Sequence, residues 1–395
     1  MADLSAYCPT NLLYTQEKFT RYQPGGYHPV SLGDTFKDGR YEVHHKLGWG
    51  GYSTVWLVYD LMQKQWVSLK IMTADRTDHS HELEILQRLA RHSGDSLRGL
   101  SYYIVQLLDT FFHPGPNGVH QCLVFELLGP SVIHVLKDYY DSGDVLEPET
   151  IMRMSEQLLK GVGFIHRAGL GHGDISGANV AFSASHLSKA SKEVLLEVIG
   201  APEAEEVTRI DGEPLDQGLP KHLIKAASWV DWIDEDEEDL RILDFGESFL
   251  QGKEPTKLAQ PGHLRVPETI FTECFDYRVD LWRAGCMIYS FAFAAYPFSY
   301  WGSVEALAAQ MIGFVEKLPV EWQPQWQRML SNSGSGLQVN ESCSPSRLDE
   351  RFNTKLPDPA LEPLRPVIKG LMRFLPSDRM EASEALDLLR SSVRS

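Results

Sequence analysis

Within HGDISGAN, residues 172–179, two side chains could share one reaction. Asp174 carries a carboxylate able to orient a hydroxyl group and accept its proton, and Asn179 carries an amide oxygen able to hold a hard cation. Asp244, in ILDFGES, follows an apolar stretch and offers a second hard oxygen donor. Lys70, at the end of VSLK, could neutralise phosphate oxygens. A proton acceptor, two magnesium ligands and a phosphate-binding lysine are what phosphoryl transfer from a nucleoside triphosphate requires. The transferred group carries negative charge, yet no arginine or lysine lies between Asp174 and Asn179.

Elements able to position these groups can be read on either side. From Tyr41 the pieces YEVHHKLG, STVWLVYD and WVSLKIM are β-rich and bounded by turn residues. HELEILQRLA has helical spacing, and YIVQLLDTFF and QCLVFELLG read as two more strands. The remainder is mainly helical, and PETIMRMSEQLLKGVGFIHRAG forms a long amphipathic helix that opens on Pro148 and runs into the HGD loop. Residues 183–240 read as an insertion between two strands of a second lobe, with one short helix in SKEVLLEVIG. SNSGSGLQVNESCSPS, 331–346, reads as a Ser/Gly-rich loop.

In that frame several short motifs fall in the order of a protein kinase. LGWGGYSTVW resembles the Gly-rich loop that lets backbone N–H groups approach triphosphate oxygens, with Leu47, Gly48, Gly50 and Val55 as the nucleotide-facing positions. Taken alone it is equally a glycine hairpin turn, and Lys70 alone equally an edge lysine reaching water. Glu82 is the expected partner of Lys70, with Glu84 as the alternative. CLVFELLG resembles the strand and hinge that contact adenine, with Phe125 as gatekeeper and Glu126 to Leu128 offering backbone hydrogen bonds; an ordinary core strand would read the same way. His172 is expected to pack beneath the catalytic loop. Pro267 and Glu268 in RVPET resemble the end of an activation segment, and Asp280 in DYRVDLWRAGC the helix that anchors a catalytic loop. Arg379 in LPSDRM is the expected buried partner of Glu268. The fold class is therefore α+β, a two-lobed protein kinase fold with a small antiparallel β N-lobe containing one helix and a larger, mainly helical C-lobe. The expected division is a lead-in at 1–40, an N-lobe at 41–128 and a C-lobe at 129–395.

Composition narrows the partners. With 395 residues, 43% hydrophobic and 23% charged, the chain has the make-up of a soluble protein with a sizeable core. A net charge of −17 argues against direct contact with nucleic acid, whose phosphates need a basic surface, and suits attraction of cationic substrates, although plain solubility is the commoner reason for such a balance. Five widely spaced cysteines fit neither a zinc site nor a disulfide framework, so a reducing interior is expected. The N-terminal stretch has no apolar signal region. The apolar run 284–298 is too short to span a bilayer and is preceded by Arg283, so it reads as a buried helix, and no membrane association is expected. DEDEED, 234–239, reads as a solvated mobile loop or as a steering patch for Arg-rich peptides, with Glu247 and Glu254 nearby in sequence.

The lead-in GGYHPVSLGDTF and the following RYEVHHKLGWGGYSTVWL, together 25–57, resemble those of the SR-protein kinases, and the resemblance extends over both lobes, from about residue 20 to 390. It implies serine/threonine phosphorylation of Arg/Ser-rich splicing-factor segments, with ATP and Mg2+ as cofactors, by a monomer of the cytoplasm or nucleus. It also implies activity without activation-loop phosphorylation, in line with Gly173 standing where a phosphate-binding arginine would be. The departure is Ser176, which replaces the lysine that steadies the γ-phosphate in transit. One cation of this kind is worth on the order of 10²–10³ in rate, by analogy with an oxyanion donor. A pseudokinase that binds nucleotide and acts as a scaffold is thus the alternative. Small-molecule kinases of the aminoglycoside and choline type are a third reading, since they have similar lysine-free loops and still transfer phosphate.

Overall fold

A computed structural model describes residues 4–77, 81–92, 102–232, 235–272, 274–333 and 345–394. Most of the Ser/Gly-rich loop (334–344, with Cys343) and part of the acidic run (Asp234) lie outside the described residues. The chain divides into two compact units: Met1–Glu84, Val105–Pro130 and Ser183–Glu238 form the first, and Ile85–Ile104, Ser131–Phe182 and Asp239–Ser395 the second.

In the first unit, β1 (Thr35–Phe36), β2 (Tyr41–Gly50), β3 (Ser53–Asp60), β4 (Gln65–Met72), β5 (Leu107–Gly115) and β6 (Gly118–Glu126) make an antiparallel sheet of order β1-β2-β3-β4-β6-β5. Side chains alternate across a strand, and VWLV, 55–58, is apolar at successive positions because both faces are covered. Trp56 and Val58 join one cluster with Val67, Leu69 and Val124. Leu57 and Trp66 join another with Leu187, Leu195, Ile199 and Trp229.

Those last four residues belong to the segment expected as an insertion in the second lobe. Residues 183–238 instead group with the sheet. The physical reason is apolar burial: the short helix Lys192–Ile199, capped by the Ser191 side chain, lays Leu195 and Ile199 against the sheet, and Trp66 donates its indole N–H to Ala190 O (2.9 Å). The lead-in packs with the same segment. Tyr7, Leu12 and Phe19 cluster with Val207 and Leu223, and Leu12 N–H donates to Glu205 (2.7 Å).

A buried charge pair fastens the lead-in to the sheet. Lys46 of β2 donates to Glu17, which also accepts from the Tyr22 hydroxyl, and Lys46 and Glu17 are almost wholly buried. Burial pulls the Lys46 ammonium below its ordinary pKa, against the opposing pull of Glu17. The acidic run is also partly internal. Glu235 and Glu238 are buried, and Glu238 accepts from Ser183, from Ser185 N–H (2.9 Å) and from His186 (3.0 Å). Those two carboxylates are neither a solvated loop nor a steering patch; Asp236 and Glu237 are the exposed members.

The second unit is helical, as expected. Its principal helices, numbered in order here, are α1 (Val132–Ser142), α2 (Pro148–Arg167), α3 (Glu268–Phe271), α4 (Val279–Phe293), α5 (Leu364–Leu371) and α6 (Ala382–Arg394). Pro148 opens α2, where its missing N–H would have been unpaired in any case. Helix α4, which packs against α2 and α5, is buried from Val279 through Ala292, so the long apolar run is a core helix. Among the described residues no helix is long and apolar enough to cross a membrane.

Replacing Glu17 by Gln leaves the Lys46 ammonium buried without its counter-charge. Removing one partner of a buried pair costs about 3–5 kcal/mol. Urea unfolding should register a loss of that order, and a loss below about 0.5 kcal/mol, the usual range for surface substitutions, would contradict the fastening role.

Candidate active site

The first unit holds, on its sheet, most of the residues expected to face a nucleotide. The Gly-rich segment is the β2–β3 hairpin, in which Gly48 pairs with Val55 and Gly50 with Ser53. Tyr27 of the lead-in donates its hydroxyl to Gly50 O (2.6 Å), so the lead-in holds this hairpin directly. Motif order does not single out Tyr27; its signal in the sequence is an aromatic residue in a Gly/Pro-rich piece. Lys70 lies opposite Val55 in the β3–β4 register, and its ammonium donates to both carboxylate oxygens of Glu82 (2.9 and 2.7 Å). Glu82 is buried and Glu84 exposed, which separates the two alternatives. Phe125 and Glu126 end β6; Glu126 N–H donates to Gln106 O (3.1 Å), and its carboxylate accepts from Gln106 N–H (2.9 Å). Leu128 opens the strand Leu128–Ser131.

The second unit holds the loop expected to be catalytic, His172–Asn179, positioned from α4. Buried Asp280 accepts the N–H of His172 at one carboxylate oxygen (2.7 Å) and of Gly173 at the other (2.9 Å), and His166 stands 3.1 Å from the first. Burial alone would raise its pKa; the hydrogen bond and charge of His166, followed by His172, bring it below the ordinary carboxylate range. His172 sits beneath the loop, its Nδ1 accepting from Asp174 N–H (3.1 Å) and its Nε2 facing Leu243 O (3.1 Å).

Asp174 is half-buried, and Asn179 Nδ2 donates both to its carbonyl (2.9 Å) and to its carboxylate (2.7 Å). Burial pushes the Asp174 carboxyl up to about 6; the Arg283 charge and the Asn179 hydrogen bond oppose the shift, while Asp244 and Glu247 add to it. Since the Asn179 amide nitrogen is committed to Asp174, its oxygen remains as the acceptor. Exposed Asp244, whose backbone is in the left-handed region (φ 62°), supplies a carboxylate. An amide oxygen and a carboxylate are hard donors that fit a magnesium ion.

Gly173 occupies the place of the expected arginine for a local reason. Its φ is +76°, and a Cβ there would lie 2.6 Å from Glu247 O. The loop backbone therefore has no room for a side chain at this position. Ser176 is buried, and its carbonyl accepts Asn179 N–H (3.0 Å). Farther off, Arg379 and Glu268 form a buried two-pronged ion pair (2.8 and 2.6 Å), and Arg379 also donates to the carbonyls of Arg278, Arg373 and Phe374. Motif order gives no role to Arg283 either, whose guanidinium reaches Gly173 and Asp174 from α4. The available signal was one charged residue flanking an apolar run.

The protein kinase domain family matches residues 41–191. The serine/threonine-protein kinase SKY1 of Saccharomyces cerevisiae is 40% identical over 42% of this chain and 23% of its own length. The serine/threonine-protein kinase SRPK of Physarum polycephalum is 29% identical over 69% of this chain and 64% of its own length. SRSF protein kinase 3 of Homo sapiens is 39% identical over 42% of this chain and 29% of its own length. The chain thus spans less than two thirds of each of these relatives. A crystal structure of a kinase domain matches with a TM-score of 0.62 at 17% identity, covering 91% of this chain and 97% of that one, a likeness of fold.

Restoring the missing arginine should damage this loop. Gly173→Arg imposes a left-handed side-chain-bearing residue, at about 1–2 kcal/mol, in addition to the contact with Glu247 O. Thermal unfolding should show a lower Tm than the parent; a Tm equal to or above the parent's would contradict the account.

Proposed function

We propose, for a chain with a protein kinase fold whose relatives are SR-protein kinases, that it is an active serine/threonine kinase transferring the γ-phosphoryl group of Mg-ATP to Arg/Ser-rich protein segments. The observation that carries this reading is the state of Asp174. Its carboxylate is fixed by Asn179, and its loop is fixed by Asp280. Catalysis of phosphoryl transfer is mainly positioning and electrostatics, and here the positioning bonds are formed in the chain itself.

Each residue has a role within the reading. Asp174 orients the substrate hydroxyl and takes its proton, while Asn179 keeps the carboxylate in place. Lys70, held by Glu82, binds nucleotide phosphate oxygens. Asn179 and Asp244 would hold Mg2+, which when bound supplies charge neutralisation at the phosphates. The net charge of −17 suits a substrate rich in arginine. A second reading, a nucleotide-binding pseudokinase, rests on one observation: Ser176 brings no cation to the loop.

The test is transfer of radiolabelled phosphate from Mg-ATP to an Arg-Ser repeat peptide. Asp174→Asn should lower kcat about 10²–10⁴-fold, the usual worth of a positioned proton acceptor, while the Mg-ATP thermal shift remains. Lys70→Met should weaken both transfer and the shift. A wild-type protein that gives a magnesium-dependent ATP shift and no transfer would favour the pseudokinase.

A further inference from the structure

Arg283 lies within α4, in a run whose residues are buried from Val279 to Ala292, and its own side chain has no exposure. A guanidinium removed from water in this way persists only where its donors are satisfied. Nε donates to Leu264 O (3.3 Å), one terminal nitrogen to Ala259 O, and the other to Gly173 O. The nitrogen on Gly173 also stands 3.5 Å from the Asp174 carboxylate.

The side chain therefore joins three pieces of the second unit. Ala259 and Leu264 lie in the segment between Asp244 and Glu268, Gly173 and Asp174 lie in the catalytic loop, and the guanidinium is delivered by the helix whose Asp280 fixes that loop. The loop has no side chain of its own for this task at position 173, where a Cβ would meet Glu247 O, and no charge at position 176. Among the described residues Arg283 is the cation whose hydrogen bonds reach both segments. Its fork shape suits the work, because carbonyls in different directions can be served at once from a rigid plane.

We propose that Arg283 is a positioning residue that locks the segment 259–264 to the catalytic loop and steadies Asp174, so that the site is assembled with no phosphorylated residue. This rests on reading the site as an active kinase and names the device that keeps it on. The lock is made of backbone carbonyls, so it needs no modification and no particular side chain on the segment. It also moves the cation of this region from the loop to the helix behind it.

The test uses the full chain with Arg283→Met, which keeps the bulk and removes the donors, and Arg283→Lys, which keeps the charge and loses the fork. Hydrogen exchange is read over 259–266 alongside kcat and KM for ATP. In Arg283→Met, exchange in that segment should quicken about 10-fold or more, since local opening loses its restraint. Its kcat should fall by about 30-fold or more with KM for ATP within about 2-fold, the pattern of a lost transition-state arrangement. Arg283→Lys should regain part of kcat while exchange stays fast, a split that mere loss of packing would not produce. Should the Met variant fail to fold, the Lys variant decides: unchanged exchange over 259–266 overturns the lock. In a folded Met variant, unchanged exchange or a kcat within about 2-fold of the parent also overturns it. A wild type that transfers no phosphate would sink the kinase reading, and the exchange data would still judge the lock by itself.

Discussion

The geometry of the loop at His172–Asn179 depends on where Asp280 sits. Its two carboxylate oxygens take the N–H groups of His172 and Gly173, and its helix is buried along almost its whole length. Helix packing thereby becomes loop geometry: α4 cannot shift against α2 and α5 without moving the residues on either side of the loop's start. Charge-assisted bonds of this kind are stronger than neutral ones, and burial strengthens them further. Asp174, one residue beyond, inherits that position and adds the bonds from Asn179.

The same helix answers the question raised by a loop without cations. Gly173 is glycine because the loop backbone is left-handed there and passes close to Glu247 O. The charge that the loop lacks is present behind it in Arg283, which is within reach of Asp174 at 3.5 Å. Burial lowers the pKa of this guanidinium, and the charges of Asp174 and Asp280 oppose that shift. Two opposite charges three residues apart on α4 thus serve the loop in complementary ways. Asp280 accepts from backbone N–H groups, and Arg283 donates to backbone carbonyls.

Much of this was legible in the sequence, and what was legible shares one property. Lys70 with Glu82, Glu268 with Arg379, and Asp280 with the catalytic loop each combine a residue type with a fixed place in an ordered series of motifs. The antiparallel sheet and the helices followed from apolar periodicity. The position of residues 183–238 did not, because Leu195, Ile199 and Trp229 show that they need burial without showing against what. Glu17 is 29 residues from Lys46 and belongs to no motif, so their pairing could not be read. Glu235 and Glu238 looked like solvent-facing charge because a run of acids gives no sign of which members turn inward. Arg283 was visible only as a flank of an apolar run, and its partners are backbone carbonyls, which leave no mark in a sequence.

The proposed kinase transfers phosphate while carrying none itself. The most direct measurement is a single-turnover experiment with the wild-type protein, shown phosphate-free by intact mass, mixed with Mg-ATP and excess Arg-Ser repeat peptide. The peptide should gain phosphate in the first turnover, with no lag and no phosphate on the protein itself. A lag that ends as the protein becomes phosphorylated, or bound ATP that is never consumed, would contradict it.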